Sequence, residues 1–123
     1  MITKIDKITI YVESQDEAKA FWTEKMGFVV TVEESMGPDT RWIEITPQGN
    51  DLTTIVLYSK QLMLEQSPES VAHPSIMFAS ADIDQLWERL QREGVETSEI
   101  QQSPFGKMFD FRDNDGNPYM VKG

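Results

Sequence analysis

The succession strand, helix, strand, strand, strand occurs twice along this chain, and that repeat constrains the fold more tightly than any other feature. Ile8 has a counterpart in Ile76 and Gly27 in Gly94, at offsets of 68 and 67 residues, so one residue was gained or lost between the markers. Two copies of a supersecondary unit are too few for a solenoid, in which stacked neighbours bury a continuous core. The expectation is an α+β fold: two βαβββ modules forming a curved, cup-shaped mixed sheet with helices on its outer face.

In the first copy Ile8, Ile10 and Val12 alternate with Lys7, Thr9 and Tyr11, the period of a half-buried strand. Glu13, Ser14 and Gln15 interrupt the alternation. Asp16 and Glu17 suit a helix first turn, where they complement its dipole. Ala18, Phe21, Trp22 and Met26 follow at helical spacing, and Gly27 is placed to end the helix in a left-handed cap. Strands are expected over 28–34, 41–46 and 53–58, separated by a turn at 36–39 and a loop at 47–51. Residues 59–74 have no clean period and contain Ser67-Pro68, so they read as a linker with a short helical turn around Leu62, Met63 and Leu64.

The second copy opens with a strand over 75–80. Asp82 caps a helix carrying Ile83, Leu86, Trp87 and Leu90, which ends at Gly94. Strands follow over 95–101, 107–112 and 119–121, the last two joined by Asp113-Asn114-Asp115-Gly116-Asn117, a tight hairpin signal containing Asp-Gly. The organisation is therefore one domain over 1–123, with a first module at 1–58, the linker at 59–74 and a second module at 75–123.

The 123 residues include 21 acidic against 11 basic, a net charge of −10. That field repels polyanions, so neither nucleic acid nor an anionic membrane surface is an expected partner. The absence of cysteine removes disulfides, thiolate nucleophiles and cysteine metal sites together. No segment approaches the roughly 20 apolar residues needed to span a bilayer, and a cytoplasmic protein is expected.

Strand alternation also sorts the faces. If Ile8, Ile10, Val12, Ile43, Ile45, Ile55, Leu57, Ile76 and Phe78 meet the helices, the opposite face carries Lys7, Thr9, Tyr11, Trp42, Glu44, Thr54, Val56, Tyr58, Ser75 and Met77. The last hairpin adds Met108, Asp110, Arg112 and Met120 to it, while Phe109, Phe111 and Val121 turn inward. A second helix layer needs an apolar face. This one mixes aromatics, methionines and a few charges, as a ligand cup does.

The ligand-binding candidates are accordingly Lys7, Thr9, Tyr11, Trp42, Glu44, Tyr58, Ser75, Met77, Met108, Asp110, Arg112 and Met120. Glu44 and Asp110 are the catalytic candidates, an acid–base pair if burial raises one pKa, with Lys7 and Arg112 available to pair with them instead. A calcium loop at Asp113, Asp115 and Asn117 fails on spacing, because Gly116 falls at the fourth position where an EF-hand places glycine at the sixth. A Ser-His-Asp triad has only His73 as base, beside Pro74 in an expected loop.

Three stretches carry a family resemblance: residues 5–12, then Ala20-Phe21-Trp22 with Met26-Gly27-Phe28, and finally Phe105-Gly106 through Phe111-Arg112-Asp113-Asn114-Asp115-Gly116-Asn117. In order and spacing they resemble the vicinal oxygen chelate superfamily of glyoxalase I, extradiol dioxygenases, fosfomycin-resistance enzymes and bleomycin-resistance proteins. The resemblance implies four metal-ligand positions, falling on Lys7, near Val56, on Ser75 and near Met120. Protonated lysine, valine, serine and methionine do not replace imidazole and carboxylate, so no metal and no cofactor is expected. It also implies a homodimer.

The leading reading is a metal-free binding protein, similar to the bleomycin-resistance branch, that sequesters a partly planar and cationic small molecule. Trp42, Tyr11 and Tyr58 would stack on it, with Glu44 or Asp110 as counter-charge. The alternatives are a superfamily enzyme (a lyase, isomerase or dioxygenase with a non-standard site) and a self-association module without small ligand.

Overall fold

The computed structural model describes residues 1–49, 52–104 and 106–123. It divides into two compact units, Met1–Pro74 and Ser75–Gly123. The first holds strand β1 (Lys7–Val12), helix α1 (Gln15–Ala20) running into a π-helical turn (Phe21–Lys25), and strands β2 (Phe28–Ser35), β3 (Arg41–Pro47) and β4 (Thr54–Ser59). Helix α2 (Lys60–Gln66) and a 3-10 turn (Pro68–Ser70) follow. The second unit holds β5 (Met77–Ala79), α3 (Ile83–Arg92), β6 (Gln101–Ser103), β7 (Gly106–Arg112) and β8 (Pro118–Lys122).

Each unit is a βαβββ module with a four-stranded mixed sheet, in the orders β1-β4-β3-β2 and β5-β8-β7-β6. The first and last strands of each module pair in parallel, and the other neighbours are antiparallel. The repeat seen in the sequence is thus a repeat of topology, and the α+β expectation holds. Of the loop expected over 47–51, Asn50 and Asp51 lie outside the described residues, as does Phe105 of the family-like stretch. Among the described residues no helix is long and apolar enough to cross a membrane.

In the first unit Ile10, Val12, Ile43, Ile45, Ile55 and Leu57 are buried on one face of the sheet, as their alternation requires. The Ser14 hydroxyl caps α1, accepting the Glu17 amide at 3.1 Å. Gln15, read from the sequence only as a break in the strand, is a buried clamp. Its Nε2 donates to the carbonyls of Leu57 (2.9 Å) and Arg41 (2.6 Å), and its Oε1 accepts the Arg41 amide (3.1 Å). These bonds tie the start of α1 to β3 and β4.

The helix changes character at Phe21, whose carbonyl accepts the Met26 amide five residues on. Ala18, Phe21 and Trp22, at i, i+3 and i+4, form one buried stripe, and the Trp22 ring meets Phe21 and Phe28 edge-on at 5.4 and 5.0 Å. Gly27, at φ 77°, supplies the left-handed cap. On the sheet edge, β2 contains a bulge: Val30 pairs with Ile45, but Val32 pairs with Glu44. The turn expected within 59–74 is longer than anticipated. It is the seven-residue α2, capped by the Ser59 hydroxyl on the Leu62 amide at 3.2 Å.

In the second unit Phe109, Phe111, Tyr119 and Val121 are buried while Asp110, Arg112 and Met120 are exposed, a clean two-residue period. Phe111 and Tyr119 stack at 5.2 Å and both contact Phe78. Two expectations need correction. The strand expected over 75–80 shrinks to Met77–Ala79, leaving Ser75 outside it. The strand expected over 95–101 is broken: Thr97 forms an isolated bridge to Phe111, and regular pairing starts only at Gln101, opposite Met108. The cause is local. The Ser98 hydroxyl accepts the Asp110 amide at 3.0 Å, displacing a backbone partner, and the register slips by one residue.

The last hairpin is organised by one carboxylate. Asp113 accepts the amides of Asp115 (2.9 Å) and Asn117 (3.0 Å) on Oδ1, and the Tyr119 hydroxyl (2.6 Å) on Oδ2. Burial first, and then this bond and the charge behind it, hold the Tyr119 phenol well above its ordinary pKa. Asp113→Ala therefore strands a buried hydroxyl and two turn amides, and its expected cost is about 2–3 kcal/mol in urea denaturation. Adding Tyr119→Phe to Asp113→Ala should cost much less than Tyr119→Phe alone. Additive losses would mean that the bond does not couple them.

Candidate functional site

Residues paired across a ladder place their side chains on the same face, so the register of the first sheet defines rows across it. On the face away from Ile10, Ile43 and Leu57, Tyr11 pairs with Tyr58, and Trp42 pairs with Glu34. The Tyr58 ring meets Tyr11 edge-on at 6.2 Å and Trp42 at 6.0 Å. One row therefore reads Tyr11, Tyr58, Trp42, Glu34. The next reads Thr9, Val56, Glu44, Val32, and below it Lys7 pairs with Thr54. Every residue of this sheet that the sequence assigned to the ligand face is on it.

Glu44 is the centre of that face and is buried. Its Oε2 accepts the Trp42 indole N–H at 2.7 Å; its Oε1 accepts the Thr54 hydroxyl at 3.3 Å and pairs with the Lys7 ammonium at 3.3 Å. Burial alone pushes the carboxyl pKa up, but the indole, the ammonium and the hydroxyl outweigh it, leaving Glu44 below the ordinary carboxylate range. Lys7 in turn is held above its ordinary value by Asp6, 3.0 Å away, and by Glu44. Sequence reasoning allowed for a Glu44 pKa raised by burial. The shift has the opposite sign, and the carboxylate is an ionised structural hub with its acceptors committed.

The second sheet has its own outward face. Met77, Met120 and Asp110 lie in one paired row, all exposed, with Met108 and Lys122 in the next. Met108, Asp110 and Met120, with Ser98 and Gln101 from the broken edge, line a hollow of about 330 Å³. Arg112 donates to the Gly116 carbonyl at 2.7 Å rather than pairing with Asp110. Ser75 is exposed ahead of β5. A larger cleft of about 590 Å³ opens in the first unit beside Ser14, Gln15, Arg41 and Ser59. Its polar groups serve the fold: both serines cap helices, Gln15 clamps the strands, and Arg41 bridges Asp16 and Glu33.

The metal-ligand positions implied by resemblance do not fit a metal. The Lys7 ammonium is tied to two carboxylates, Val56 is fully buried and has no donor atom, and Ser75 and Met120 supply a hydroxyl and a thioether. Among the described residues no group of three or more His, Cys, Asp or Glu side chains is placed to hold a metal ion. His73, half-buried between the 3-10 turn and β5, does not change this.

The sequence missed Glu34. An unbroken strand over 28–34 gives Phe28, Val30, Val32 and Glu34 the same parity, which would send Glu34 to the helix side. The bulge at 30–32 reverses that parity, so Glu33 faces the helix, where Lys19 and Arg41 bind it at 2.7 and 2.6 Å, and Glu34 joins Trp42.

Comparison with known proteins agrees with this architecture. Residues 4–121 match the family model described as Glyoxalase/Bleomycin resistance protein/Dioxygenase superfamily. The chain is 39% identical over 123 residues to YetH of Bacillus subtilis (strain 168), covering 99% of both, and 34% identical over 103 residues to YurT of the same organism, covering 75% of this chain and 76% of YurT. Both are described as uncharacterized. Among solved structures, TnmS3, an antibiotic binding protein from Streptomyces sp. CB03234, superposes with a TM-score of 0.82 at 27% identity, over 98% of this chain and 95% of TnmS3. UcmS2 superposes with a TM-score of 0.83 at 28% identity, over 99% and 98%. With the repeated βαβββ topology and a family match along nearly its whole length, the chain belongs to the glyoxalase/bleomycin resistance protein/dioxygenase superfamily.

Proposed function

We propose that this chain is a small-molecule binding protein that works without a metal and holds a partly planar ligand against the aromatic row of its first sheet. The observation that carries this reading is the row itself: Tyr11, Tyr58 and Trp42 at one level across three adjacent strands, with the indole fixed by Glu44. Planar molecules gain large contact area on such side chains at small conformational cost. The likeness to TnmS3, an antibiotic binding protein, supports the same class of activity. An acid–base role for Glu44 has less support, because a general base near neutrality needs a raised carboxyl pKa and this one is lowered. The net charge of −10 argues against nucleic acid as the ligand.

The fluorescence of acridine, an uncharged planar tricycle, tests the platform. Trp42→Ala should weaken its binding about tenfold or more while costing about 2–3 kcal/mol of stability, since the indole is only half-buried but its N–H is a donor to the buried Glu44 carboxylate. Trp22→Ala, which empties a fully buried site, should cost about 3–5 kcal/mol. If Trp42→Ala is the more destabilising, or leaves acridine binding intact, the platform is misplaced.

Metal independence has a separate test. Thermal unfolding of protein purified without chelator should give the same midpoint with and without EDTA, because a metal bound only by the native state would raise it. A drop of several degrees on chelation would overturn the reading. We also propose a homodimer: the edge strand β2 exposes Val29, and β5 and β8 expose Met77 and Met120. Light scattering at tens of micromolar should return twice the 14.1 kDa chain mass, and a monomer there would refute the claim.

A further inference from the structure

We infer that the ligand is a planar cation and that Glu34, not Glu44, is its counter-charge. The inference rests on the aromatic platform proposed above and adds the charge of what binds there.

Three carboxylates stand on β2 and β3 within a few residues of Trp42, and two are already engaged. Glu44 is enclosed by the Trp42 indole, the Thr54 hydroxyl and the Lys7 ammonium. Glu33 lies on the helix side, held by Lys19 and Arg41. Glu34 is exposed, and among the described residues its carboxylate has no hydrogen bond or ion pair. It is the cross-strand partner of Trp42 on the same face, and such pairs have Cβ atoms about 4.5–5.5 Å apart.

The row thus ends on an unneutralised charge directly beside its largest aromatic ring. A positively charged ring system against Tyr11 and Trp42, which stand partly exposed on either side of the buried Tyr58, would gain from the indole quadrupole and from the Glu34 carboxylate at once. A neutral ring would gain only contact area. The bulge between Val30 and Val32 creates this arrangement, because it turns Glu34 from the helix side onto the platform.

N-Methylacridinium, a permanent cation, and acridine in mildly alkaline buffer, where it is uncharged, have nearly the same shape. Wild-type protein should bind the cation about three- to tenfold more tightly, the range set by an exposed cation–π contact with an exposed charge pair. Glu34→Gln should reduce that preference about twofold or more, to the part the indole alone supplies, and leave acridine affinity unchanged. Glu33→Gln removes the same charge from the protein but on the helix side, and it should retain the preference. Equal binding of the two probes to wild type, or a preference that Glu34→Gln leaves undiminished, overturns the inference while leaving the planar platform standing. Loss of the preference in Glu33→Gln to the same extent would assign it to the field of the whole protein and also overturn the inference. If neither probe binds wild type, the platform itself fails and the counter-charge fails with it.

Discussion

The Glu44 carboxylate sets the terms for the whole sheet face on which it stands. A buried charge is tolerated only when neighbours satisfy it, and here the satisfying groups come from three strands: Trp42 on β3 itself, Thr54 on β4 and Lys7 on β1. Meeting that demand fixes the Trp42 indole in one orientation by its N–H and brings Lys7 over the sheet. It also determines which groups stay open to a ligand. The carboxylate that looks most available in the sequence is the one most fully used.

Much of the fold is legible because strand alternation and helix ends are local signals. The two-residue period of 8–12 and 43–45 places Ile10, Ile43 and Ile45 in the core and Trp42 and Glu44 opposite, as found. Asp82, Gly27 and Gly94 mark helix boundaries through their side-chain or backbone chemistry alone. Failures occur where one residue is added to a regular element. The π turn at Phe21, the bulge at Val30–Val32 and the slip at Ser98 each preserve composition and disturb only phase. A pattern read with a fixed period carries straight through such a point, and at the β2 bulge the residues beyond it are assigned to the wrong side.

The cost of a phase error differs between these sites. At Phe21 the expected core residues remain core residues, because Ala18, Phe21 and Trp22 keep the i, i+3, i+4 spacing of a buried stripe. At Ser98 the mistake moves a strand boundary but leaves Asp110 and Met120 on the outward face. At Val30–Val32 it exchanges Glu33 and Glu34, and with them the difference between a carboxylate paired to the helix and one standing at the end of the aromatic row. Glu44 was illegible for another reason. Its face was correctly assigned, but the sign of its pKa shift depends on three partners whose distances no linear pattern contains.

The two sheets share a topology and have diverged in chemistry. In the first, both faces of β3 and β4 are buried, one by isoleucine and leucine, the other by Val56, Tyr58 and the Glu44 network. In the second, β7 and β8 alternate sharply, with the buried Phe111–Tyr119 stack behind and exposed Met120, Asp110 and Arg112 in front. The carboxylates follow the same division. Glu44 serves the aromatic face of the first sheet, whereas the best-coordinated acid of the second unit, Asp113, is spent on a hairpin and on the Tyr119 hydroxyl. Duplication of one module therefore supplies two equivalent scaffolds but not two equivalent sites. The hydrogen bonds that each buried carboxylate requires leave an aromatic platform on the first sheet and a methionine-lined hollow on the second.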